Sequence, residues 1–553
     1  MASRIKKLRS RSFWELQPQP SSFAPSNKWS NKDMDPVPVH QQNWTMWDYT
    51  SYWLSDGFNI GIWNMASSML AIGLSWKQAL PAIAIGHLII AFAVMANGTI
   101  GARLHISFPV INRISFGYWL SYFSVVSRVV LTMFWFAIQT YAGSEAVYQM
   151  LKAIFPSIAR IPNRLPESAN ITTVGMMCYF LYWLIQLPFL LVSPHKIRYL
   201  FIAKAILAPT TGLAMMVWAF ARTGGGPIFE QSASISGSDL NWAMLSAMNS
   251  AIGSCATLVV NIPDFTRYAR SPRDQYIQVL VISVTFTLFA FMGIAVTSAG
   301  NVIYGEILWD PLTLIDRWDN RAAAFFASFA FCLATIGTNV SANSISAAND
   351  FTALLPRASL PERHFDVVNL TASQWLNIRR GQLLCAFIGG WFICPWKILG
   401  SAVGFLNFLG GYTVFLWPIC SIVIVDYWFV HKGKVDIPAL YNPNGRYRYT
   451  GGVNWRALLA LLVSVPPNLP GLIYSINPTV NVGLGAKRSY SVAWLLGFSL
   501  AGGTHYVAST LFPPTDTLVN ELITGNDHAH HPGSTEQVTD ENFSDVKVTS
   551  YSP

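Results

Sequence analysis

Charge is what this sequence has least of. Asp, Glu, Lys and Arg make up 11% of its 553 residues, against about 25% in an average soluble domain. That is too little to clothe a water-facing globule of this length. Cysteine is sparse as well. Cys178, Cys255, Cys332, Cys385, Cys394 and Cys420 all fall in apolar stretches without metal-ligand spacing, so neither a disulfide framework nor a bound metal is expected. His-Glu-x-x-His, a Cys/His cluster and a Walker loop are all missing. Their absence argues against a membrane enzyme, and no cofactor is expected. The N-terminus is long, polar and basic, unlike a cleavable signal peptide.

What the chain does have is apolar length. Its hydrophobic share is 52% and its aromatic share 14%. Runs of about 20 residues, enough to cross a bilayer, recur throughout. They predict an all-α polytopic membrane protein with twelve spans: 51–75, 79–98, 117–148, 173–192, 197–221, 242–263, 275–299, 322–347, 381–396, 399–430, 456–475 and 490–512. The formal charge of +9 is no nucleic-acid signal, because the basic residues sit between the apolar runs. Alternate loops are the more basic, among them those with Arg103 and Arg113, with Arg267, Arg270 and Arg273, and with Arg357, Arg363, Arg379 and Arg380. That bias places both termini in the cytosol. The domains expected are a basic tail (1–45), a membrane core (46–430) of two halves (51–221 and 242–430), a loop with spans eleven and twelve (431–514), and a disordered tail (515–553). Lys547, in that tail, is a candidate ubiquitin acceptor.

Two spans look interrupted. Span one reads WLSDGFNIGIWN, with Asp56 and Gly57 inside the apolar run. Span six reads AIGSCATLVVNIPDFTRYA, with Gly253 and Ser254 in mid-span. Matched breaks five spans apart suggest inverted repeats of spans 1–5 and 6–10, with solute or ion sites at the exposed helix ends. In span three, LTMFWFAIQTYAG puts Trp135 and Gln139 on one helical face, one turn apart. A flat ring surface beside an amide suits a flat polar heterocycle; the same pair also suits a packing indole with a Gln bonded to a neighbouring helix. Span eight carries TNVSANS, in which Asn339 and Asn343 share a face and Asn343 offers a second amide edge.

Six segments carry a family resemblance: WLSDGFNIGIWNMASSMLAIGLSWKQA, ISFPVINRISFG, FWFAIQTYAG, ATLVVNIPDFTRYARS, TNVSAN and IVDYW. Over roughly residues 40 to 510 the chain resembles the nucleobase-cation-symport-1 family, and more narrowly its fungal uracil, allantoin and uridine permeases. The resemblance implies a five-plus-five inverted-repeat fold and secondary transport of a nucleobase or ureide. It implies substrate contacts at Trp135, Gln139, Asn343 and the span-one residue Asn59. It also implies a cation position at the Ser55, Phe58 and Ala334 carbonyls and the Thr338 hydroxyl.

The sequence departs from the family pattern twice. The segment GSCATL lacks the second stacking aromatic of span six, which leaves the stack one-sided or completed by another aromatic such as Phe134 or one of Phe405 and Phe408, the residues of a span-ten outer gate. Gly337 stands where bacterial members carry a sodium-ligating hydroxyl, and a hard cation holds poorly to a site short of an oxygen. The expected coupling ion is therefore a proton in preference to sodium, with Asp56 as its carrier, since an intramembrane carboxylate is costly unless it is used or paired. The expected function is proton symport of uracil, allantoin or a related base across the plasma membrane. A uridine or thiamine-type permease, or a nutrient sensor without flux, remains open on the same residues.

Overall fold

The computed structural model describes residues 32–192, 194–354 and 378–525, together with Ser21, Phe23, Ala24 and Ser30. Among the described residues the chain is helical, and strand pairing is limited to isolated bridges such as Trp44 with Ala269. Among the described residues, eight helices are long and apolar enough to cross a membrane. They correspond to spans two (Trp76–Leu104), three (Ser121–Ile154), four (Thr173–Leu191), five (Pro194–Thr223), seven (Gln278–Tyr304), eight (Arg321–Leu354), ten (Ala402–Val430) and eleven (Trp455–Ile476). Spans nine (Ile378–Trp391) and twelve (Ala493–Leu511) are shorter helices. Spans one and six are broken.

Span one starts earlier than hydropathy suggests, at Met46, because Thr45 and Asp48 form a capping box. That motif satisfies first-turn N–H groups independently of apolar character. The helix stops at Gly57 and resumes as Ile60–Ala71. Asn59 caps the second half, its Oδ1 accepting from the Gly61 and Ile62 amides at 2.8 and 3.3 Å. Span six runs Gly237–Ser254, breaks at Cys255 and continues as Ala256–Asn261. Gly253 admits the span-ten backbone, since a Cβ there would lie 1.9 Å from the Leu409 carbonyl oxygen.

Two features were not foreseen. Span eight widens to a π-helix over Asn339–Ser344, a rare geometry that concentrates at functional sites. Span ten is divided at Tyr412, between Ala402–Gly411 and Thr413–Val425.

The expected tails are shorter than drawn. Val37 N donates to the His105 carbonyl at 2.8 Å and Tyr441 Oη to the Met34 carbonyl at 2.7 Å, which fixes the chain before span one. Residues 515–525 are likewise ordered: Ile523 N donates to the Val435 carbonyl and Ile437 N to the Ile523 carbonyl, both at 2.9 Å. Backbone pairing of this kind leaves no hydropathy signature. Arg357, Arg363 and Lys547 lie outside the described residues.

Candidate substrate and cation site

Both breaks lie close to span three. Trp135 is 8% exposed, and its Nε1 donates to Tyr412 Oη at 3.2 Å; Tyr412 Oη donates in turn to the Gly253 carbonyl at 2.5 Å. That carbonyl belongs to the last turn before the span-six break. Phe408 meets Trp135 edge-on with 5.9 Å between centroids, and meets Tyr412 at 5.3 Å. Three rings from spans three and ten thus make one corner. Gln139 is 1% exposed, and its Oε1 is buried without a donor. Most buried polar atoms have a partner, so an orphan acceptor one turn from an indole marks a place for a donor. Gly61, in the second half of span one, closes the corner. A Cβ on it would stand 3.4 Å from Trp135 Cζ3 and 3.5 Å from Gln139 Nε2.

Asn343 is 6% exposed, and its Nδ2 donates to Asn339 Oδ1 at 2.8 Å. Asn339 is fully buried, and its Nδ2 donates to Gln186 Oε1 at 3.0 Å and Thr140 Oγ1 at 3.2 Å. Its amide is spent between spans three, four and eight, and it serves to hold Asn343.

The cation position contains a side chain. Lys204 of span five is fully buried; its Nζ donates to Thr338 Oγ1 at 2.8 Å and to Asp56 Oδ1 at 3.2 Å. Asp56 Oδ1 also accepts from Ser341 Oγ at 3.0 Å, and Thr338 Oγ1 donates to the Ala334 carbonyl at 3.0 Å. The ammonium therefore lies between the span-one break and span eight. It also accounts for Gly337, where a Cβ would lie 2.7 Å from Lys204 Cδ. The lysine stem takes the room a hydroxyl-bearing residue would need.

Residues 36–497 match the family model described as permease for cytosine/purines, uracil, thiamine, allantoin. The chain belongs to that permease family. Among permeases similar to it, the Saccharomyces cerevisiae allantoin permease is 34% identical, covering 89% of this chain and 78% of its own length. The uracil permease of the same yeast has the same identity and coverage. The fold is similar to that of Mhp1, a nucleobase-cation-symport-1 family transporter solved in a closed conformation with bromovinylhydantoin bound, at a TM-score of 0.66 and 20% identity, covering 88% of this chain and 97% of that one. The permease is thus a multi-pass membrane transporter and not an enzyme.

The structure brings Trp135 and Gln139 together against Gly61 of span one, holds Asn343 on Asn339 within span eight, and changes the setting of several other predicted residues. Asn59 is occupied as a helix cap: besides its Oδ1 contacts, its Nδ2 donates to the Asp56 carbonyl at 2.5 Å. Phe405 is fully buried and stacks on Trp309 at 6.5 Å, so of the two span-ten phenylalanines it is Phe408 that reaches Trp135. Phe134 stacks on Phe408 at 5.9 Å. Ser55 precedes the Asp56–Asn59 turn and Phe58 lies within it, and both are buried. Lys204 and Arg128 are both buried. Arg128 pairs with Asp350, and its Nη2 donates to the Ser346 carbonyl at 2.7 Å, joining spans three and eight. Tyr412 was missed altogether; GGYT inside an apolar run was its only sequence signal.

Gly61 gives a direct test of the corner. Gly61→Val should raise the KM for uptake by about tenfold or more, since overpacking a filled site costs about 1–3 kcal/mol, and leave surface abundance unchanged. A KM within twofold of wild type would separate Gly61 from the site.

Proposed function

We propose that this permease imports a small flat nucleobase or ureide of the uracil or allantoin class, coupled to protons, across the plasma membrane with both termini in the cytosol. The observation that carries this reading is the orphan Gln139 Oε1 beside the Trp135 face. An imide or ureide N–H supplies the donor that this oxygen lacks, and its neighbouring carbonyl supplies an acceptor for an amide N–H. The ring stacks on Trp135, with Phe408 and Tyr412 bounding it. Asn343, steadied by Asn339, reads a second edge.

Lys204 supports a proton as the coupling ion. A resident ammonium already supplies the positive charge between Asp56 and Thr338, which leaves sodium without a vacant set of oxygens. A proton arriving on Asp56 cancels its charge and breaks the ion pair that joins spans one and five. Substrate release and deprotonation restore it. The broken spans then rock against spans three and eight about the fixed site.

Radiolabelled uptake in a permease-deficient yeast tests the reading. Uptake of uracil or allantoin should proceed in sodium-free buffer, fall when a protonophore is added, and be lost in Gln139→Leu, because removing a buried substrate partner strands the polar groups opposite it. Sodium-dependent uptake, or unchanged uptake in Gln139→Leu, would overturn it.

A further inference from the structure

The connection between spans seven and eight folds over the end of span three opposite the chain termini. Its short helix, Pro311–Ile315, is capped by Asp310, whose Oδ1 accepts from the Leu312 amide at 2.7 Å. Asp310 Oδ2 accepts from Asn64 Nδ2 of span one at 3.4 Å. Glu145 of span three, six residues past Gln139, brings its carboxyl into hydrogen-bonding contact with that of Asp310. Asp310 is 6% exposed, and Glu145 Oε2 is buried without a donor. A cavity of about 710 Å³ lies alongside, with Tyr141, Glu145, Asp310, Asp316 and Arg317 in its walls.

Two ionised carboxylates only accept hydrogen bonds and repel each other, so their contact requires a proton between them. The cations nearby are engaged elsewhere: Lys152 pairs with Asp316 at 2.7 Å and Arg317 pairs with Glu306. The remaining polar neighbours are the Tyr141 phenol, which hydrogen-bonds Glu145 from the same helix, Tyr148 in the cavity wall, and Gln149, which donates to Asp316. None of these neutralises the pair. Asp310 already has two donors, whereas Glu145 has a bare oxygen, which places the proton on Glu145 with Asp310 as its acceptor. The contact joins three elements: span three, the second half of span one through Asn64, and the loop whose Trp309 stacks on Phe405 of span ten.

We infer that Glu145 and Asp310 form a second proton site, a latch that holds the outer gate shut while one proton is shared between them. This goes beyond the coupling site at Asp56 and Lys204, and it rests on the transporter reading. When Glu145 releases its proton to water in the cavity, only the Glu145 O–H bond breaks. Two facing charges then push the loop and the second half of span one away from span three.

Hydrogen–deuterium exchange of the segment 305–318, in purified full-length protein in nanodiscs at pH 5.5 and pH 8, tests the latch after correction for intrinsic exchange rates. In wild type, protection should fall by roughly tenfold per pH unit above the titration of the pair. Glu145→Gln keeps a donor toward Asp310 without a titrating proton, so its protection should match low-pH wild type at both pH values. Asp310→Asn, which donates to Glu145 instead, serves the same purpose if Glu145→Gln does not reach the membrane. A wild-type segment equally protected at both pH values, or a pH response that persists in Glu145→Gln or Asp310→Asn, would overturn the latch. Trp135→Ala separates the two proposals: it should retain the pH response although it takes up nothing. Uptake surviving in Trp135→Ala removes the substrate reading and leaves the exchange result standing.

Discussion

Trp135→Ala is expected to reduce uptake by about a hundredfold or more while the protein still reaches the cell surface. The indole is almost wholly buried and provides the flat face of the corner. Truncating a buried Trp costs about 3–5 kcal/mol, and each 1.4 kcal/mol is a factor of ten in binding. The loss also frees Tyr412, whose hydroxyl links Trp135 to the Gly253 carbonyl at the span-six break. Trp135→Phe keeps an aromatic face but loses that bond, and should fall between the two. Uptake at fixed substrate, paired with surface biotinylation, reads both variants. Near-normal uptake in Trp135→Ala at normal surface abundance would remove the site.

Lys204→Met should be as severe, through a different physical route. The methionine keeps most of the stem but leaves Asp56 buried without its cation. Removing one member of a buried pair costs about 3–5 kcal/mol, because the surviving charge stays desolvated. Both thermal stability in detergent and uptake should collapse. The double variant Asp56→Asn with Lys204→Met removes both charges and should recover stability, since a buried pair replaced by neutral groups is often tolerated. It should still lack uptake driven by a pH gradient, having nothing left to titrate. Wild-type stability in Lys204→Met, or proton-driven uptake in the double variant, would show that the pair is not the coupling element.

How much of this was legible in the sequence varied with the kind of signal. The spans were readable because a bilayer imposes length and apolarity on each segment separately. The break in span one was readable because Gly57 and Asn59 are local chain-breaking and capping residues. Trp135 and Gln139 were readable as a pair because helical spacing alone puts them on one face. The role of Lys204 was not legible because a lysine near the end of an apolar run has the same local sequence whether it snorkels to the surface or points inward. What distinguishes the two cases is Asp56, 148 residues away in the chain. Gly337 was noticed as a missing hydroxyl, but its cause was invisible without the lysine that fills the gap.

The sequence by itself determined what depends on short-range physics: a polytopic helical membrane protein, two interrupted spans, an indole and an amide on one helical face, and a family resemblance. Tertiary structure alone decided which polar groups are spent on one another and which are left over. Asn59 and Asn339 are consumed by a helix cap and an inter-helix bridge, whereas Gln139 keeps an unpaired oxygen. Glu145 meets Asp310, and an ammonium comes to rest where a free cation was expected. Each of those outcomes depends on partners far apart in the chain, and only packing sets the distances between them.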